Sequence, residues 1–538
     1  MVKISENYLE QQAKFNQAGI KVPSYDHAVV TENGLSTPQW IHFGGGNLFR
    51  AFHAAIADKL LENGQMQSGI WVVDTYTPEV TSKIYNDNNN QVLRVITKRD
   101  GTLEKQLLGS IAQAIFDSAE QPSASLIEAF KNPSLQLATF SITEKGYALN
   151  NPQGDLSDVV MQDIVNGPQN PVNNIARLTA LLWQRFNAGG YPIALVSTDN
   201  FSQNGDLLKH VVLKIAQGWA DKGHVSVDFL TYLSDKHKVS FPLSMIDRIT
   251  PAPSVAVSEA LTAVGIEDMA LFKSSKGIDL ANFANTEETN YLVIEDAFPN
   301  GEPGLATAGV ILTSRNTVND VDEMKVTTSL NPLHTALAIY GMLLGYESIA
   351  DEMTNDKLVQ LIKKIGYVEG LPVVKDPGVI NPKKFIDEVV NERLPNKYIP
   401  DTPQRIATDT SQKLAVRYGV TIQHYLDAPD KDVQDLTYIP LVIAGWLRYL
   451  LGVNDAGEVF KPSSDPKLEY LQGQLAPITL GFTGELASIL NPILADKELF
   501  GLDLVQANLA DKIMHFFKLM IIGPGAVEQT LTSILQDK

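Results

Sequence analysis

IHFGGGNLFRAFHAAIADKLLENG, residues 41–64, runs a short apolar stretch into three glycines and follows them with a helix-length segment. Glycines at such a turn let the backbone approach a pyrophosphate, and the helix start offers unpaired N–H groups and the positive end of its dipole. The spacing predicts a strand ending before Gly44, Gly45 and Gly46, then a helix through Ala51 to Leu61. A dinucleotide fingerprint reads G-x-G-x-x-G. Gly44 and Gly46 fill its first two places, and Phe49 stands in the third. Taken alone, the pattern suits a plain strand–turn–helix equally well. IWVVDTY (70–76) reads as the next strand, ending in Asp74. An acid there would bond a ribose hydroxyl and disfavour the extra phosphate of NADP, although aspartate also simply ends many strands. Together the two features select NAD as the preferred dinucleotide.

Outward from this loop the same texture continues. QWIHFG (39–44), QLATFSIT (136–143), YPIALVST (191–198) and VSFPLSMID (239–247) are short apolar runs separated by helix-length segments. That alternation predicts an α/β unit with a largely parallel sheet covered on both faces. From about residue 320 the period changes to 3.6, as in NPLHTALAIYGMLLGYESIADEM (331–353) and DLTYIPLVIAGWLRYLLGV (435–453). The expected organisation is a Rossmann-type NAD-binding domain over 1–305 and a mostly α-helical substrate-binding and catalytic domain over 306–538. AFPNGEPGLATAG (297–309), rich in Gly and Pro, is the expected connection between them.

Composition removes several function classes. A formal net charge of −19 argues against nucleic acid or an anionic membrane as partner, while leaving room for a local basic pocket. The absence of cysteine excludes disulfides, thiolate catalysis and Cys-based zinc sites. The nine histidines show no tight ligand spacing, so no metal is expected. MVKISENYLEQQAKF (1–15) lacks the apolar core of a signal peptide. YIPLVIAGWLRYLLGV (438–453) carries Arg448 and is too short to cross a bilayer. A buried helix in a cytoplasmic protein is the expectation.

The chemistry concentrates in KVTTSLNPLH (325–334). A lysine is ordinarily solvated and a helical histidine is ordinarily a satisfied core group. Here Asn331 and His334 are three apart and share a helix face, and Lys325 is within reach of the same place. An amine, an amide and an imidazole held together can move a proton and polarise a carbonyl oxygen. Pro332 predicts that the helix starts, bends or bulges there. Three further segments join acids and amides to turn residues at strand ends. ITEKGY (142–147) has Glu144 and Lys145; STDNFSQNG (197–205) has Asp199, Asn200 and Asn204; FPLSMIDRITPAP (241–253) has Asp247 and Arg248. Carboxyl ends of strands in an α/β sheet face the ligand crevice.

Taken in order, FGGGNLFRAFH, TEKGY, STDNFSQNG, FPLSMIDRITP, VIEDAFPNGEP and KVTTSLNPLH make the chain resemble the mannitol dehydrogenase family, the polyol-specific long-chain dehydrogenases and reductases. RLPNKYIPDT (393–402) and DTSQKLAVR (409–417) add to the likeness. The resemblance implies a metal-independent NAD(P)-dependent enzyme. It implies Lys325 as catalytic acid/base, Asn200 and Asn331 as hydrogen-bond donors to the reacting oxygen, and His334 as the group orienting substrate. It implies cofactor contacts from the loop and strand ends, at Gly44, Gly46, Asn47, Phe49, Arg50, Asp74 and Glu144. Asp247, Arg393 and Lys413 are the implied substrate-binding residues. Two departures stand out. The family commonly has four residues between the lysine and the asparagine, and here there are five, Val326 to Leu330. Asp322, with Glu323 beside it, replaces the usual Glu three places before the lysine.

The substrate expected is a sugar acid or polyol. A keto-hexuronate carries a carboxylate, and Arg393, Lys413 and Arg405 are cations in the right region. The favoured reading is reduction of D-fructuronate to D-mannonate, with fructose/mannitol or tagaturonate as alternatives. A non-catalytic NAD-binding sensor is a reading of another class, but such proteins usually lose the chemical residues, and all four are present here. Oxidation requires a neutral lysine, which titrates near ~10.4 when free, so alcohol oxidation is expected to rise with pH.

Overall fold

The computed structural model describes residues 1–151, 153–398 and 401–536. Its packing divides the chain into two units, Met1–Asn319 and Asp320–Lys538.

The first unit is built on six strands: β1 (Trp40–Phe43), β2 (Ile70–Asp74), β3 (Ile111–Phe116), β4 (Leu137–Phe140), β5 (Ile193–Ser197) and β6 (Val239–Ser240). They lie in the order β3-β2-β1-β4-β5-β6, and every neighbouring pair is parallel. This is the doubly wound order of a Rossmann sheet, with its winding reversed between β1 and β4. Every residue of β1, β2, β4 and β5 is buried, as a sheet covered on both faces requires. One face is covered by α1 (Ala54–Glu62), whose Ile56 and Leu60 pack with Ile70, Val72 and Val196. On the other, α2 (Asn174–Asn187) and α3 (Asn204–Asp221) set Leu178, Leu182, Val212 and Trp219 against Ile41, Val73 and Leu195.

Two expectations change here. VSFPLSMID does not form one strand: β6 ends at Ser240, and a separate strand, Ser244–Asp247, pairs antiparallel with Tyr291–Glu295. Pro242 between them has no N–H for a ladder bond. The Gly- and Pro-rich stretch 297–309 lies within the first unit, where Leu305 is buried in the same cluster as Leu60.

Arg185 on α2 fixes that helix to the sheet. Its guanidinium is fully buried and donates to the carbonyls of Phe130, Asn132, Leu135, Tyr191 and Pro192. No carboxylate among the described residues takes part. The Tyr191, Leu135 and Asn132 carbonyls also accept from the Tyr232 hydroxyl, the Asn300 amide and the Leu135 N–H, so Phe130 and Pro192 depend most on Arg185. Arg185→Met is expected to destabilise the first unit by about 3–5 kcal/mol, because buried acceptors are left unpaired. Denaturant unfolding monitored by tryptophan fluorescence measures this, and a loss under 1 kcal/mol refutes it.

The second unit is helical. Its central members are α4 (Asn331–Leu344), α5 (Tyr438–Leu450) and α6 (Ala510–Met520). The 331–353 segment is shorter than its periodicity suggested: Gly345, at φ +81°, ends α4 as a left-handed cap. Every residue of α5 is buried, including Arg448, which donates to the carbonyls of Met520, Val453 and Asn454. The start of α5 is capped from far away in sequence, by Glu369 accepting from the amides of Thr437, Tyr438 and Ile439. No helix among the described residues is long and apolar enough to cross a membrane.

Candidate active site

In the first unit, the glycine turn joins β1 to a helix that begins at Asn47, passes through a π-helical turn, Phe49–His53, and continues as α1. Gly44 has φ +113°, and a Cβ there would lie 2.3 Å from the Ser141 carbonyl oxygen, so the turn can close against β4 only with glycine. A Cβ on Gly46 would meet nothing within 4 Å, which leaves open space beside the helix start. Asp74, at the end of β2, accepts from the amides of Tyr76 and Thr77 through Oδ1 and from Gly45 at 3.3 Å through Oδ2. Burial raises its pKa, and the three amides oppose that rise. Open space at the glycine turn, an adjacent helix start and an acid at the end of the next strand fit a dinucleotide.

Other loop residues play a different part from the one expected. Phe49 is wholly buried, stacked on His42 with ring centres 4.7 Å apart. Arg50 is buried too and donates to the carbonyls of Ala281 and Phe283 and to Asn47 Oδ1. Asn47 in turn donates to the Pro251 carbonyl. Phe49 and Arg50 therefore brace the turn from behind: the aromatic ring gains by burial, and the guanidinium is bonded inside by two backbone oxygens and Asn47 Oδ1, with its Nε unpartnered among the described residues.

Gly44→Ala is expected to lower dinucleotide affinity by about 10²-fold, since Cβ both clashes and disfavours the left-handed backbone. NADH fluorescence titration of the two proteins reads this, and equal affinities would refute it.

Glu144 and Asn200 are both exposed, at the ends of β4 and β5. Asp199 ties these ends together. Its carboxylate accepts from the amides of Ile142 and Thr143 and from the Tyr147 hydroxyl. Thr143 sits at φ +64°, a backbone strain held by that carboxylate beside the site. Asn204 then joins the same loop to the strand of Asp247, donating to the Ser244 carbonyl and hydroxyl. Asp247 is buried at the end of that strand.

In the second unit, Lys325 is buried and opens a π-helical turn, Lys325–Ser329, closed by the Leu330 amide donating to the Lys325 carbonyl at 3.1 Å. A π turn accommodates one extra residue within a helix, which is where the fifth intervening residue goes. A new helix, α4, then starts at Asn331 with Pro332 in its first turn, where a missing N–H costs nothing. His334 lies one turn on, its Nε2 3.3 Å from Asp401 Oδ2. Burial lowers the His334 pKa, aided by the charges of Arg405 and Arg417 and opposed by Asp401. Asp401 also takes a two-pronged bond from Arg405, at 2.6 Å on each oxygen. Arg405, a cation expected to be available to substrate, is thus already paired.

Arg393 is buried at the end of a π turn, Val389–Arg393. Lys413 is half-buried, donates to the Thr408 carbonyl, and has its pKa lowered by burial and by the Arg417 charge. Ile399 and Pro400 of RLPNKYIPDT lie outside the described residues. Among the described residues no group of three or more His, Asp or Glu side chains is placed to hold a metal ion.

The mannitol dehydrogenase Rossmann domain model matches residues 38–306, and the mannitol dehydrogenase C-terminal domain model matches 317–520. The D-mannonate oxidoreductase of Thermotoga maritima is 46% identical over 537 residues, covering 99% of each chain. The chain belongs to the mannitol dehydrogenase family. Two solved structures of the same fold cover nearly all of it. A D-sorbitol dehydrogenase in substrate-free form has a TM-score of 0.78 at 23% identity, over 96% of this chain and 98% of that one. The Pseudomonas fluorescens mannitol 2-dehydrogenase ternary complex with NAD and D-mannitol has a TM-score of 0.71 at 24% identity, over 100% of each. Membership of the mannitol dehydrogenase family makes the protein an oxidoreductase acting on CH–OH groups.

Several groups beside the motif residues of this family were not singled out from sequence. Asp401 meets His334 across 67 positions, and Arg417 donates to Thr335, the residue after His334, across 82. Arg417 closes the DTSQKLAVR motif one helical turn after Lys413, a spacing that could have marked it. Glu352 is fully buried, and among the described residues neither carboxyl oxygen has a hydrogen-bond partner.

Proposed function

We propose that the protein is an NAD-dependent, metal-independent reductase interconverting a keto-hexuronate and its hexonate, D-fructuronate and D-mannonate. The observation that carries this reading is 46% identity, end to end, with the D-mannonate oxidoreductase of Thermotoga maritima. The cofactor would be held at the Gly44–Gly46 turn, with Asp74 and Glu144 at the neighbouring strand ends. When bound, it supplies or accepts the hydride.

The protein's own groups manage the proton and the developing charge. In reduction, Lys325 Nζ donates a proton to the carbonyl oxygen as it becomes an alkoxide, and in oxidation it takes that proton back. Asn331 donates a side-chain N–H bond to the same oxygen, worth about 3–4 kcal/mol of activation free energy, and Asn200 is proposed as a donor of the same kind. An amine and two amides thereby supply what a Lewis acid supplies elsewhere. His334 is neutral near pH 7, its pKa being held low mainly by burial. Asp401 beside Nε2 favours the tautomer with its proton there, leaving Nδ1 to accept from a substrate hydroxyl. Asp247, Arg393 and Lys413 are the remaining proposed substrate contacts.

The test is NADH oxidation at neutral pH with D-fructuronate, D-tagaturonate and D-fructose in parallel. Turnover on D-fructuronate far above the others is expected. Turnover on D-fructose alone would overturn the hexuronate reading and leave a polyol dehydrogenase.

A further inference from the structure

We propose that Arg417 is the specificity-determining cation of the second unit, receiving the substrate carboxylate beside His334; this rests on the hexuronate reading above. Three features of the geometry support it. Tyr418, next in sequence, donates to the Pro332 carbonyl at 2.7 Å and so fastens the π turn Ala415–Gly419 to the first turn of α4. Arg417 Nη1 donates to the hydroxyl of Thr335, which directly follows His334 and is itself fully buried. The guanidinium is thereby held against the helix turn that carries Asn331 and His334.

The third feature is electrostatic. The other nearby cations have partners: Arg405 is bound by both oxygens of Asp401, and Lys413 is bound to the Thr408 carbonyl. Arg417 has no carboxylate partner among the described residues, and one neutral hydroxyl is its hydrogen-bonded neighbour. Its charge lowers the pKa values of both His334 and Lys413, so it lies near each. A mostly desolvated guanidinium beside other positive groups is costly unless an anion completes the set. Its planar fork matches a carboxylate through two parallel N–H···O bonds, which an ammonium cannot offer. A neutral ketose would leave that charge unanswered.

The experiment compares wild type, Arg417→Met and Arg417→Lys in the full chain, measuring KM and kcat with D-fructuronate and D-fructose and the inhibition constant of D-mannonate. Arg417→Met is expected to raise the D-fructuronate KM and the D-mannonate inhibition constant on the order of 10²-fold. The rise for D-fructose should be much smaller, so the preference for the acid collapses. Arg417→Lys keeps the charge without the fork and should fall between, which serves if the methionine variant does not fold. Variants that keep the wild-type KM for D-fructuronate overturn the assignment while leaving the hexuronate reading intact. A wild type that reduces D-fructose but no uronate overturns that reading and this inference with it.

Discussion

Lys325→Ala is expected to lower kcat for D-fructuronate reduction by about 10²–10⁴-fold, the usual contribution of a positioned general acid. The lysine is 2% exposed at the head of a π turn, so the amine proposed to meet the reacting oxygen is shielded from competing water. NADH affinity, read by fluorescence titration, should change little, because the glycine turn belongs to the other unit. Lys325→Met, which keeps the volume of the buried stem, should lose as much activity as Lys325→Ala. Small primary amines added to the alanine variant should restore part of the rate. Full turnover by either variant would remove Lys325 from the mechanism.

Glu352→Gln is expected to flatten the pH dependence of stability. Burial pushes the Glu352 carboxyl up to about 9, and the charges of Asp401 and Asp351 add to that rise. A raised carboxyl pKa means the native state holds a proton that the unfolded chain gives up near pH 4.5. The stabilising contribution is therefore complete below about pH 4.5 and is lost as pH climbs towards about 9, at roughly 1.4 kcal/mol per pH unit. The accumulated loss is on the order of 6 kcal/mol. Glutamine cannot ionise and should remove this slope. Urea unfolding of both proteins between pH 5 and pH 9 measures it, and parallel curves would show that Glu352 is not protonated in the fold.

The Rossmann sheet was legible because its inner strands are mostly apolar runs, in which burial on both faces leaves a direct mark on the sequence. β6 was not, since two residues ending before Pro242 carry too little pattern to separate them from the next strand. Lys325, Asn331 and His334 stood out because they are neighbours in the chain. The groups around His334 did not, because Asp401 and Arg417 reach the same helix from other parts of the fold. The side chains of Phe49 and Arg50 turn inward for a related reason. Their place in a fingerprint says which residues lie near a ligand, and cannot say which way a side chain turns.

The π turn at Lys325 also changes what it means to count along this helix. Between the lysine and the asparagine, register is kept by hydrogen bonds and not by residue number, so a search that demands four intervening positions passes over this chain. Deleting one residue from the turn would not simply shorten a loop. It would turn Lys325 by about 100° around the helix axis relative to Asn331. For anyone grafting this segment onto a shorter-spaced relative, the bulge has to travel with it.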